Sequence, residues 1–155
     1  MAAKLKRHQP KRKVSVTSLP IQRQLALGFT GRFFDLRAIF KRLNAKHFRN
    51  RLKGYRIVWG RRRKLRPLNY FVYGTIQEED RVIRIHPLLD AAFVPEWFLE
   101  YVLFHEMLHA VTPDEIYPSG RRKVHTQEFR HKECRYRNYE RAKRWEAQNL
   151  GRFLR

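Results

Sequence analysis

Residues 95–113 read PEWFLEYVLFHEMLHAVTP, apolar at nearly every position except for a His-Glu-x-x-His group near the middle. Pro95 suits the first turn of a helix and Thr112-Pro113 ends one, so the pattern predicts a helix running to about Val111. Trp97, Phe98, Tyr101, Val102, Leu103, Phe104, Leu108 and Val111 make that helix apolar nearly all round. Burying His105, Glu106 and His109 in such a helix is costly unless partners or a metal ion compensate.

Helical geometry explains what the group can do. Residues four apart are turned by about 40°, so His105 and His109 can reach one ion from one face. Neutral imidazole is a good zinc ligand. Glu106 is turned by about 100° from His105, where its carboxylate can reach a water on the metal without binding the metal itself. A carboxylate so placed can act as a general base and then return the proton to a leaving amine.

A catalytic zinc site needs a third protein ligand and an open fourth position. Thr112 and Glu115 stand at the third and sixth places after His109, so the short Gly/His continuation is absent. His125, in Val124-His125-Thr126-Gln127-Glu128-Phe129 at the start of the last predicted helix, is the leading candidate. Phe129, four residues on, would pack that side against the core. Glu128, about 60° from His125 around the helix, is the carboxylate alternative. His131, about 120° away, reads as a surface histidine beside Arg130 and Lys132.

Outward from this helix, residues 1–18 form a basic arm with little to bury. Phe33, Leu36, Ile39, Phe40, Leu43 and Phe48 recur at helical spacing and predict a helix over about 33–49, closed by Asn50 and Gly54. Residues 55–59, 70–76 and 81–85 read as strands, the last two joined by a Gln77–Asp80 hairpin loop. A loop over 114–123 and a helix over about 125–148 follow. The order is α+β: an N-terminal helix, a small three-stranded antiparallel sheet, the His-Glu-x-x-His helix, and a C-terminal helix carrying the third ligand. The boundaries are an arm at 1–18, one domain at 19–150 and a tail at 151–155.

Composition narrows the partners. The 155 residues suit one domain, and 43% hydrophobic residues suffice for a core. No apolar run is long enough for a membrane span, and the first residues lack a secretory pattern. These features predict a monomer that is not secreted, in a cytoplasmic, nucleoid-associated or nuclear setting. Cys134 is the sole cysteine, so an internal disulfide and zinc modules with paired cysteines are excluded; it is expected to be packed.

The net charge of +21 is unevenly spread. Residues 1–77 hold 21 basic side chains and one acid, residues 78–120 two and nine, and residues 121–155 twelve and four. Arginine outnumbers lysine 24 to 11, which suits bidentate phosphate contacts. Arg61, Arg62, Arg63, Lys64 and Arg66 are candidate nucleic-acid contacts. Trp59 or Tyr70 could stack on unpaired bases, although packing on the sheet explains both more simply.

The ordered blocks FDLRAIFKRLNAKHF, YRIVWGRRR, YGTI with VIRIHPLL, LFHEMLHA and VHTQEF resemble the SprT-like family of zinc metalloproteases, the Spartan-related group. The resemblance covers about residues 33–133. It implies a zincin-like minimal protease domain binding Zn2+ through His105, His109 and His125, with Glu106 catalytic, and acting on proteins bound or crosslinked to DNA. Many relatives continue into a zinc ribbon with paired cysteines; these 155 residues hold only Cys134, so any DNA recruitment is expected to fall on the basic segments. The alternative is a nucleic-acid-binding protein whose zinc is only structural; a glutamate at the water position argues against it.

Overall fold

The structure is a computed structural model that describes residue 28, residues 30–61 and residues 70–154. The predicted basic arm and positions Arg62, Arg63, Lys64 and Arg66 lie outside the described residues.

Helix α1 spans Leu36–Phe48. It starts where the Asp35 carboxylate accepts hydrogen bonds from the Arg37 and Ala38 amides at 2.9 and 3.1 Å, which satisfies two N-terminal donors. Leu36, Ile39, Phe40 and Leu43 form its buried stripe. Arg49 and Asn50 both take left-handed backbone at its end. The buried Asn44 side chain then holds the returning chain through both the amide and the carbonyl of Leu52.

Strands β1 (Arg56–Trp59), β2 (Gly74–Gln77) and β3 (Val82–Ile85) form one sheet in the order β1-β3-β2. The sheet is mixed, which corrects the antiparallel expectation. β2 and β3 are antiparallel, with Ile76 opposite Ile83, but β1 runs parallel to β3, with Ile57 opposite Ile83. A tight turn at Glu78–Arg81 fixes the β2–β3 direction, and Arg81 adopts positive φ there. The position of β1 depends on which strand is central, and burial decides that: Val82, Ile83 and Ile85 are the most buried strand residues. A strand covered on both faces reads as a nearly continuous apolar run, as β3 does.

Helix α2, Glu96–His109, is the predicted apolar helix and packs against the sheet, α1 and both later helices. The predicted loop over 114–123 contains a short hairpin, β4 (Glu115–Ile116) with β5 (Arg122–Lys123). Asp114 accepts from Arg122 and Glu115 pairs with Lys123 across it.

The predicted last helix is two helices, α3 (Gln127–Cys134) and α4 (Tyr139–Phe153). Between them Tyr136 leaves the helical path to bury its ring against Phe104, 4.4 Å away centre to centre. That tertiary contact overrides a helical pattern that is continuous in the sequence. Residues 151–153, placed in a tail by the sequence reading, belong to α4, and Phe153 is part of the core.

Candidate metal centre

His105 and His109 stand one turn apart on α2, and His125 approaches from the segment just before α3. That segment is held by Thr126, whose buried hydroxyl accepts the Phe129 amide at 3.1 Å and caps α3. His125 therefore precedes the helix instead of lying within it. Ring centres are 5.0 Å apart for His105 and His109, 5.0 Å for His105 and His125, and 4.9 Å for His109 and His125. One nitrogen from each of the three lies within 4.8 Å of the others.

The spacing matches the chemistry of a bound ion. Zinc takes imidazole nitrogens at about 2.0–2.1 Å, so two ligands of a tetrahedral site stand roughly 3.3 Å apart. His105 Nε2 and His125 Nε2 are 3.2 Å apart. Burial, reinforced by the neighbouring imidazoles, pushes His109 down to about 4, and burial with His105 beside it also lowers His125. Both changes favour the neutral form that a metal requires. Phe129, fully buried, floors the cluster, stacking on His109 at 4.4 Å and touching His105 and His125 at 5.0 and 4.9 Å.

Glu106 is 7% exposed. Burial pushes its carboxyl up to about 7, against the opposing influence of His105. A cavity of about 480 Å³ opens onto His105, Glu106 and His125, between the chain leading into β2 and helices α2 and α4. The arrangement can hold one divalent ion on three imidazoles and expose it to a cleft beside a carboxyl group able to exchange a proton near neutrality.

The other candidates are separated from this centre. Glu128 is exposed and pairs with Lys132 at 2.6 Å, and His131 is exposed. Cys134 is exposed rather than packed. Arg61 is exposed, Trp59 packs against the core and Tyr70 is 61% exposed.

Glu133 is absent from the sequence reading, yet one of its carboxylate oxygens, Oε1, is 2.7 Å from His105 Nδ1 and accepts from Tyr101 Oη at 2.7 Å. Burial alone would raise its pKa; the bonds from His105 and Tyr101 more than offset this and hold it below the usual carboxylate range. Its trace in the sequence is slight: an acid among basic residues, and a tyrosine four places before the first histidine.

The model of the SprT-like family matches residues 36–144, most of the chain and all of the centre. The chain belongs to the SprT-like family. Neither a curated protein nor a solved structure matches it. In this SprT-like chain the matched residues include helix α2 and the segment before α3, which together bring in the three histidines. Among its described residues no helix is long and apolar enough to cross a membrane.

Proposed function

We propose that this SprT-like chain is a zinc-dependent metalloendopeptidase of zincin-like type that acts on proteins bound or crosslinked to DNA. The observation that carries the reading is the convergence of three imidazoles beside a buried carboxyl group at an open cleft. His105, His109 and His125 would hold the ion. When bound there, zinc supplies Lewis acidity to a water and to the carbonyl under attack.

The chain's own residues supply the rest. Glu106 takes the proton from the attacking water and delivers it to the leaving amine, a role suited to a carboxyl whose pKa lies near the working pH. Gly74, the first residue of β2, lies against Glu106, and β2 is an edge strand of the sheet. An extended peptide can lie along such an edge through main-chain hydrogen bonds.

The nucleic-acid part of the proposal rests on the +21 charge and the arginine excess. A solely structural ion fits less well, because His125 is exposed and a cavity reaches the cluster. The test is proteolysis of a DNA-bound protein with and without DNA, paired with metal analysis. Wild type should cleave; Glu106→Gln should retain zinc and lose about 10²–10⁴-fold in rate. Equal rates in the two proteins would reject the mechanism.

A further inference from the structure

From the bonds it makes at the centre, we propose that Glu133 is the positioning residue of the metal site, orienting His105 and fastening the segment that bears His125 to α2. This inference rests on the metal-centre reading above and assigns a role to a residue outside the ligand set.

The geometry is specific. Glu133 sits near the end of α3, eight residues after His125 in the sequence, with its side chain 12% exposed. Its Oε1 meets both His105 Nδ1 and Tyr101 Oη at 2.7 Å. Tyr101 and His105 are four residues apart on α2, so they project from one face and converge on the same oxygen. Nδ1 is not the atom directed at the cluster; Nε2 is, at 3.2 Å from His125 Nε2.

Two consequences follow. With Nδ1–H donated to Glu133, the proton is fixed on the far nitrogen and the Nε2 lone pair is left for the ion. A carboxylate on the back of a ligating imidazole also makes it a stronger donor. Tyr101 keeps the oxygen from drifting, because a hydroxyl donated to a carboxylate makes a short, charge-assisted bond. The same oxygen joins α3 to α2. Because Phe129 and Thr126 hold His125 to the start of α3, the approach of the third imidazole is set partly from the helix's other end.

Zinc affinity measured by competition with a chromophoric chelator tests the role without reference to proteolysis. Glu133→Gln keeps the shape and an acceptor oxygen but loses the charge, and it should bind zinc about 10–100-fold more weakly. Glu133→Ala should be weaker again, and Tyr101→Phe should fall between wild type and Glu133→Gln. In the cobalt-loaded proteins, Glu133→Gln should shift the visible absorption bands, because His105 donates differently to the ion.

Unchanged zinc affinity in Glu133→Gln would overturn the proposal. So would weaker affinity with a cobalt spectrum identical to wild type, which would leave Glu133 as a structural clamp. Glu133→Gln and Tyr101→Phe carry the test if Glu133→Ala fails to fold. Failure of wild type itself to bind zinc would overturn the centre and this role together; loss of proteolysis alone would touch only the activity.

Discussion

Gly74 and Glu106 are packed so closely that a methyl group at position 74 would stand 2.8 Å from Glu106 Oε1 and 2.9 Å from its Cγ. Real Cβ atoms do not approach heavy atoms this closely, so a side chain there must displace the carboxyl group. The missing side chain of a strand residue therefore makes room for the buried carboxyl group of Glu106 beside the imidazoles.

Gly74→Ala should accordingly lower the turnover rate while leaving zinc affinity near that of wild type. The methyl group meets Glu106 and none of the three imidazoles among its nearest contacts. Misplacement of a reacting group by about 1 Å can cost on the order of 10²-fold. Steady-state kinetics and zinc titration of the variant check this; full activity would show that Glu106 has freedom the packing denies it.

The third imidazole makes a sharper contrast. His125→Ala removes one of three imidazoles and should abolish tight zinc binding, whereas His131→Ala should change it little, because His131 is exposed outside the cluster. Zinc retention after dialysis against a mild chelator separates the two. Added zinc should raise the melting temperature of wild type, since a ligand that binds only the fold stabilises it by about 2.7 kcal/mol at 100 times its dissociation constant. In His125→Ala that increment should largely vanish.

Phe129 links the core to the cluster. It is fully buried and touches all three imidazoles. Removal of a buried phenylalanine ring costs about 3–5 kcal/mol. Phe129→Ala should therefore show a large loss in chemical denaturation and weaker zinc binding, and Phe129→Leu a smaller loss of both. A Phe129→Ala protein as stable as wild type would mean the ring is not the floor its contacts describe.

These residues also show what was legible before the structure. His105, Glu106 and His109 could be read because helical geometry converts a four-residue spacing into a shared face. His125 could be read as a candidate because Phe129 marked an apolar face beside it. The sheet was harder. The hairpin from β2 to β3 is local, but the parallel pairing of β1 with β3 depends on which strand the helices bury, and periodicity within one strand does not record that. The helix break at Tyr136 has the same origin: the ring is drawn to Phe104, more than thirty residues away in sequence. Glu133 was unreadable because its partners Tyr101 and His105 are likewise distant. Gly74 falls inside the strand expected over 70–76, and nothing local in the sequence marks the distant carboxyl group it packs against.

Charge supplies the last prediction. Helix α4 uses some of its arginines on the fold: Arg141 lies over the Trp97 ring at 4.0 Å and Arg152 over Phe93 at 4.3 Å. Arg135 and Arg137, in the turn before it, and Arg144 on it remain exposed. If such groups contact phosphates, each contact releases condensed counterions, and binding weakens steeply with salt. Six to ten contacts correspond to a loss of about 10³–10⁵ in affinity between 50 and 200 mM salt. Fluorescence anisotropy with duplex and single-stranded DNA of mixed sequence should show this steep dependence and little sequence preference. Replacing Arg135, Arg137 and Arg144 by glutamate should make the slope shallower, whereas the stacked Arg141 and Arg152 should matter more for stability. A salt-independent affinity, or a slope unaltered by the triple substitution, would remove this face from the interface.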